Sequence, residues 1–206
     1  MGGNIMKVDL SKVSRLITWS SLKISLHSRA ESAKSRKVKR GQVYECYFGE
    51  NIGSEESKQR PCLILQNDVG NIKSPNTIVA PITNTPGEKK VTVPIVTQYD
   101  GSEVILSGNV LLGNIVTVSK ARLGNLITTL PTDELIEVDE KMMVSLGLYA
   151  KFKNLKDKLE RDKKFIERIK NENYTNKKLL KDIRSKLEIG DDEDILAKIE
   201  EFFQKS

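Results

Sequence analysis

A mainly β core carrying helical additions is the fold class this sequence predicts. Three observations predict it. Between Val38 and about Leu130 seven short runs rich in β-branched and aromatic residues follow one another, broken by Gly, Pro, Asn and Asp. After Pro131 the apolar period lengthens to that of a helix. Beyond Gly147 it settles into alternating steps of four and three, the spacing of heptads.

The first element is a helix over residues 8–28, "VDLSKVSRLITWSSLKISLHS". Asp9 or Ser11 can cap it, and Leu10, Val13, Ile17 and Ile24 form a stripe broadened by Leu16, Trp19, Leu22 and Leu26. The following "SRAESAKSRKVKRG" has little apolar content and reads as a linker. The expected organisation is therefore a basic helix and linker at 1–37, a β-rich domain at 38–150 and a charged helical extension at 151–206.

The seven runs are "QVYECYF", "PCLILQ", "TIVAPIT", "KVTVPIV", "EVILSGNVLL", "NIVTVS" and "LGNLITTL". Their number and spacing suit an all-β sandwich or a small barrel. Pro81 and Pro94 lie inside runs and direct those strands to an edge or a bulge, because proline cannot donate to a ladder.

Thr132 is the expected cap of the next helix, with Leu135, Ile136, Val138, Met142, Met143 and Leu146 as its buried stripe. Leu148, Phe152, Leu155, Leu159, Ile166 and Ile169 then take heptad positions, with Asp162 in a polar slot. A coiled coil or an antiparallel helical hairpin follows. "NENYTN" at 171–176 reads as a break, after which Leu180, Ile183 and Leu187 resume the pattern. Gly190 ends it, and "DDEDILAKIEEFFQK" opens with acidic residues suited to a helix N-terminus. The tail is thus two or three helices, and packing or oligomerisation is its plainest role.

The net charge is +6, and residues 1–40 hold ten Lys or Arg against Asp9 and Glu31. Such a segment binds nucleic acid or a membrane surface, or is a solvated face. Cys46 and Cys62 are the two cysteines, too few for a zinc site or a disulfide framework, and both sit in strand-like runs as small apolar side chains. No run approaches the ~18 apolar residues of a membrane span. No signal-peptide apolar region opens the chain, and Met6 stands where a myristoylation motif needs Ser or Thr. A soluble cytoplasmic protein is expected.

His27 is the single histidine and lies outside the β-rich region. Two-histidine acid/base catalysis, Ser-His-Asp triads and histidine-rich metal sites are excluded for one chain. Asp133, Glu134, Glu137, Asp139 and Glu140 spread around a helix rather than converge, and Glu55 and Glu56 suit loop solvation. Arg60 stands out. It is always charged, its fork of donors matches phosphate oxygens, and Pro61 biases it to extended backbone. Taken alone it reads first as an ordinary ion-paired arginine at a strand start.

The succession "KRGQVYECYF", "GSEESKQRPCLILQND", "TIVAPIT", "VLLGNIVTVSKARL" and "VDEKMMVSLGL" resembles the MazF/PemK/Kid family of toxin endoribonucleases, in the same order and at similar spacing over Val38 to Ala150. The resemblance implies an SH3-like small β-barrel with a C-terminal helix, a homodimer, a cognate antitoxin, and cleavage of single-stranded RNA without metal or cofactor. It also implies 2′,3′-cyclic phosphate and 5′-hydroxyl ends. The family's catalytic arginine and threonine fall on Arg60 and Thr83, and its RNA-contacting loop on Ser54 and Glu55; Gln59, Asn114 and Thr117 are expected as further RNA contacts.

Where many relatives carry an acid or glutamine and an arginine, this chain has Gly113 and Val116. Lys89 and Lys90 are proposed as replacement phosphate contacts on charge alone. Two other classes stay open: a non-catalytic RNA- or protein-binding module on the same barrel, and a DNA-binding regulator using the basic N-terminal segment.

Overall fold

The computed structural model describes residues 9–85, 90–190 and 193–204. The chain divides into two compact units, Met1–Tyr149 and Ala150–Ser206.

The first unit opens with helix α1 (Leu10–Ser28). Asp9 caps it by accepting from the backbone N–H groups of Ser11 and Lys12. The segment after it is not a loose linker. It contains the short helix α2 (Ala30–Ala33), buries Val38, and lays Arg36 over the ring of Tyr44, with Arg36 also donating to the Leu123 and Gly124 carbonyls. Even an apolar-poor segment docks when its arginines find carbonyls and an aromatic face.

The seven β-like runs are seven strands: β1 (Gln42–Gly49), β2 (Lys58–Ile64), β3 (Asn76–Thr83), β4 (Thr92–Asp100), β5 (Glu103–Leu111), β6 (Val116–Ser119) and β7 (Leu123–Thr129). All pairings are antiparallel, in the order β4-β5-β3-β2-β1-β7, with β6 also on β3. The result is a curled half-barrel. Residues of period two divide its core: Val43, Leu63, Ala80 and Ile82 belong to one buried cluster, Tyr44, Cys46, Cys62, Ile64 and Val79 to another. Cys46 and Cys62 are free and buried; their shared hydrogen bond and burial push the Cys62 thiol up, which favours its neutral form.

Pro81 is neither on an edge nor at a bulge of the β2 ladder: β3 is central, bonded to β2 on one side and to β6 and β5 on the other. The β6 ladder ends at Val79 and the β5 ladder begins at Ile82, so β3 changes partner around Pro81, where a missing N–H is tolerated. Pro94 does lie on an edge strand, β4.

Helix α3 (Asp68–Lys73) follows β2, capped by the Asn67 side chain on Gly70. Helix α4 (Thr132–Ser145) has Pro131, not Thr132, at its cap position, with no side-chain cap bond. Val138 inserts into the first cluster with Leu135 and Met142 beside it, whereas Ile136 and Leu146 are exposed. Arg40 ties the helix down by pairing with Asp139 while donating to the Leu65 carbonyl. Gly147, at φ +69°, ends α4, with Leu148 N–H reaching the Met143 carbonyl at 2.8 Å.

The second unit holds the long helix α5 (Tyr149–Lys186) and the short α6 (Ile195–Gln204). The expected break at 171–176 is absent: α5 runs through it. Asn and Thr cost a helix only a few tenths of a kcal/mol each, too little to stop one that is helical on both sides.

Candidate active site

Arg60 is the third residue of β2, paired across β1 with Cys46, and Pro61 follows it. The loop before the strand grips its guanidinium: Nε donates to the Ser57 carbonyl at 3.0 Å, and Nη1 forms an ion pair with Glu56. Both side chains are largely shielded, 26% and 18% exposed. Glu56 is therefore not a loop-solvating carboxylate. These contacts use only part of the fork of donors, and the rest can take a second anion.

Thr83 is the last residue of β3, opposite Asn109 of β5. Its Oγ1 accepts the Thr85 N–H at 3.3 Å. The β2–β3 ladder pairs Cys62 with Pro81, and the same register continued by two residues sets Arg60 across from Thr83. Both line one cavity of about 420 Å³, with Gln59, Asn84 and Ser107 on its walls. Gly108 makes the threonine's placement possible. At φ +115° it lies so close to β3 that a Cβ would sit 2.5 Å from the Thr83 carbonyl oxygen and 2.8 Å from Asn84 Oδ1.

Ser54, Glu55, Asn114 and Thr117 line a second cavity of about 830 Å³, together with Glu56 and Arg122. Glu56 thus joins the two cavities, lining one and pairing with the arginine of the other. Gly113 and Val116 also line the second, so Arg122 is the cation among its lining residues. Arg122 donates to the Tyr47 and Phe48 carbonyls at 3.1 and 2.8 Å. Lys90 is exposed just ahead of β4 and lines neither cavity; Lys89 lies outside the described residues. His27 is exposed on α1, away from both cavities.

The sequence reading missed the contribution of α1. Trp19 packs against Gly49, whose φ of +99° and absent Cβ admit the indole ring. Arg122 lies over that ring at 5.2 Å, and Arg15 pairs with Glu50 at 3.4 Å. A third cavity of about 260 Å³ between α1 and the β1–β2 hairpin shares Lys58 and Gln59 with the Arg60 cavity. Gly108 carried a readable signal, a lone glycine inside a strand run. Glu56, Asn84 and Trp19 carried none beyond proximity in sequence or composition.

A guanidinium fork and a hydroxyl lining one open cavity can hold a tetrahedral anion and stabilise charge as it grows there. Among solved structures, the chain is similar to MazF (Form-I) from Deinococcus radiodurans, at 23% identity over 54% of this chain and 98% of that one, with a TM-score of 0.48. It is similar to an endoribonuclease from a mycobacterial species, at 24% identity over 55% and 94% of the two chains, TM-score 0.44. An endoribonuclease in complex with its cognate antitoxin, also mycobacterial, matches at 25% identity over 54% and 96%, TM-score 0.44. The residue pattern of one family covers residues 39–146, the stretch that builds the half-barrel, sets Arg60 beside Thr83 and closes with α4. By that match over more than half its length, the chain belongs to the PemK-like, MazF-like toxins of type II toxin–antitoxin systems.

Proposed function

We propose that this protein cleaves single-stranded RNA by attack of a ribose 2′-hydroxyl on the adjacent phosphorus. The 2′ oxygen forms the new bond and gives up its proton, the bond to the 5′ oxygen breaks, and that oxygen is protonated. The ends left are a 2′,3′-cyclic phosphate and a 5′-hydroxyl. DNA lacks the nucleophile, which accounts for a preference for RNA.

The observation that carries this reading is that Arg60 and Thr83 line one cavity. Arg60 stabilises the charge developing on the non-bridging oxygens, and Thr83 orients the phosphate through its hydroxyl. Gln59 lies beside them, while Ser54, Glu55, Asn114 and Thr117 contact flanking nucleotides in the neighbouring cavity. On charge alone, Lys89 and Lys90 are assigned contacts to the RNA backbone. Action as a homodimer and neutralisation by a cognate antitoxin belong to the same proposal, supported by family membership.

The test is incubation of a single-stranded RNA with the full-length protein and excess chelator, followed by end-group analysis. Cyclic phosphate ends that vanish in Arg60→Ala are expected; intact RNA would overturn the reading. The hold of Glu56 on Arg60, with uncharged Gly113 and Val116 nearby, favours a second reading as a non-catalytic binding module. Growth arrest on expression that disappears with Thr83→Ala at equal protein level decides against it.

A further inference from the structure

We infer that α5 is the docking surface for an acidic amphipathic helix of another protein, which lies along its apolar seam. The seam is uninterrupted. Steps of three and four carry it through Phe152, Leu155, Leu159, Asp162, Ile166, Ile169, Asn173, Asn176, Leu180 and Ile183 without a change of register. The former break at 171–176 simply places two asparagines on it. No residue of α5 is buried, and Leu155 is 68% exposed. A helix of 38 residues spans roughly 57 Å, and apolar positions repeated along that length are the signature of a surface that another helix covers.

Charge identifies the occupant. With Phe152 and Leu159 as a positions, the e positions beside the seam are Lys156, Lys163, Lys170, Lys177 and Arg184. All five are cations. The g positions add Lys151, Lys158 and Lys186 against Glu172 alone, with Phe165 and Leu179 at the rest. The acids are placed elsewhere: Glu160 and Glu167 at b, Asp157 at f, Asp182 at c.

A second copy of α5 fits poorly in either direction. Parallel pairing sets each g residue against the e residue five positions on, bringing Lys151 to Lys156 and Lys158 to Lys163, and it stacks Asp162 on itself. Antiparallel pairing sets e against e, which is cation against cation in every register. A partner with Leu-like residues at a and d and Asp or Glu at e and g meets both the seam and its flanks. The polar positions Asp162, Asn173 and Asn176 would set its register. The short α6 of this chain, ten residues, reaches at most about a quarter of that length.

The experiment uses the full-length protein and two labelled synthetic helices of about five heptads with Leu at a and d, one with Glu and one with Lys at e and g. Fluorescence anisotropy should show the Glu helix binding at least ~100-fold more tightly than the Lys helix. Leu155→Asp and Leu159→Asp, exposed positions checked for helicity by circular dichroism, should abolish binding. The quadruple change of Lys156, Lys163, Lys170 and Lys177 to Glu should invert the preference. Equal binding of the two helices, or none, overturns the proposal. So does binding that survives both Asp substitutions, which would be mere attraction of polyanions. Competition by single-stranded DNA as effective as by the unlabelled Glu helix would assign the surface to nucleic acid instead. Self-association in sedimentation that is lost with Leu155→Asp would assign it to a second copy.

Discussion

Arg60 is already engaged by a carboxylate of its own chain. Glu56 and the Ser57 carbonyl set the plane of its guanidinium, so an incoming phosphate meets a fixed fork but also a nearby negative charge. Glu56→Gln should therefore tighten binding of a non-cleavable 2′-O-methyl RNA by several-fold, about 1 kcal/mol. Weaker binding would show that orientation outweighs repulsion. Arg60→Lys is expected to lose ~100-fold or more in kcat, because an ammonium is a point charge and cannot make a two-point contact; near-normal cleavage would remove Arg60 from the role assigned to it. Arg60 and Thr83 were legible because each stands in a distinctive local string, "QRP" and "PIT". Glu56 was not, since an acid four residues before an arginine reads as a helix-surface pair or as solvation, and here it sits in a loop bending into a strand.

At the scale of elements, β5 holds β3 in place through Gly108, where the backbones approach too closely for a side chain. Gly108→Ala should destabilise the protein by roughly 1–3 kcal/mol and cut cleavage further by displacing the Thr83 carbonyl. Gly101 provides the control. It also has a positive φ, +59°, but nothing lies within 4 Å of a Cβ placed there, so Gly101→Ala should lower the melting temperature with cleavage unchanged per folded molecule. Equal losses of activity in the two variants would sink the positioning role. The number of strands and their succession along the chain were readable because turn residues separate the runs, whereas their order in the sheet was not. Two of the element-level expectations that failed did so for definable reasons. Pro81 reads as an edge or bulge residue only if a strand keeps one partner along its length, and β3 does not. The 171–176 break reads as one only if polar residues end helices, whereas Asn173 and Asn176 occupy seam positions of an unbroken register.

For the molecule as a whole, the docking of α4 leaves a pH signature. Burial, then the neighbouring Asp133, hold the Glu134 carboxyl above the usual glutamate range, and its Oε2 is buried without a hydrogen-bond partner. A raised carboxyl favours folding while protonated and loses that contribution as pH rises through its folded value. Glu134→Gln should thus melt higher than the wild type near about pH 7, with the difference shrinking below about pH 4; a constant difference across the range would refute it. The extent of the family stretch was plain from sequence, but the docking of the basic N-terminal segment was not, because Trp19 against Gly49 and Arg36 over Tyr44 are long-range contacts with no periodicity to announce them. The position of β3 between an earlier strand and two later ones also sets a clock. During synthesis Thr83 leaves the ribosome beside β2, yet its other edge stays open until β5 and β6, ending at Ser119, have followed. At roughly 5–20 residues per second that interval is on the order of seconds. Until then the nascent chain carries Arg60 and Thr83 on an unfinished wall, so the cavity they line is completed only after more than half of the chain has been made.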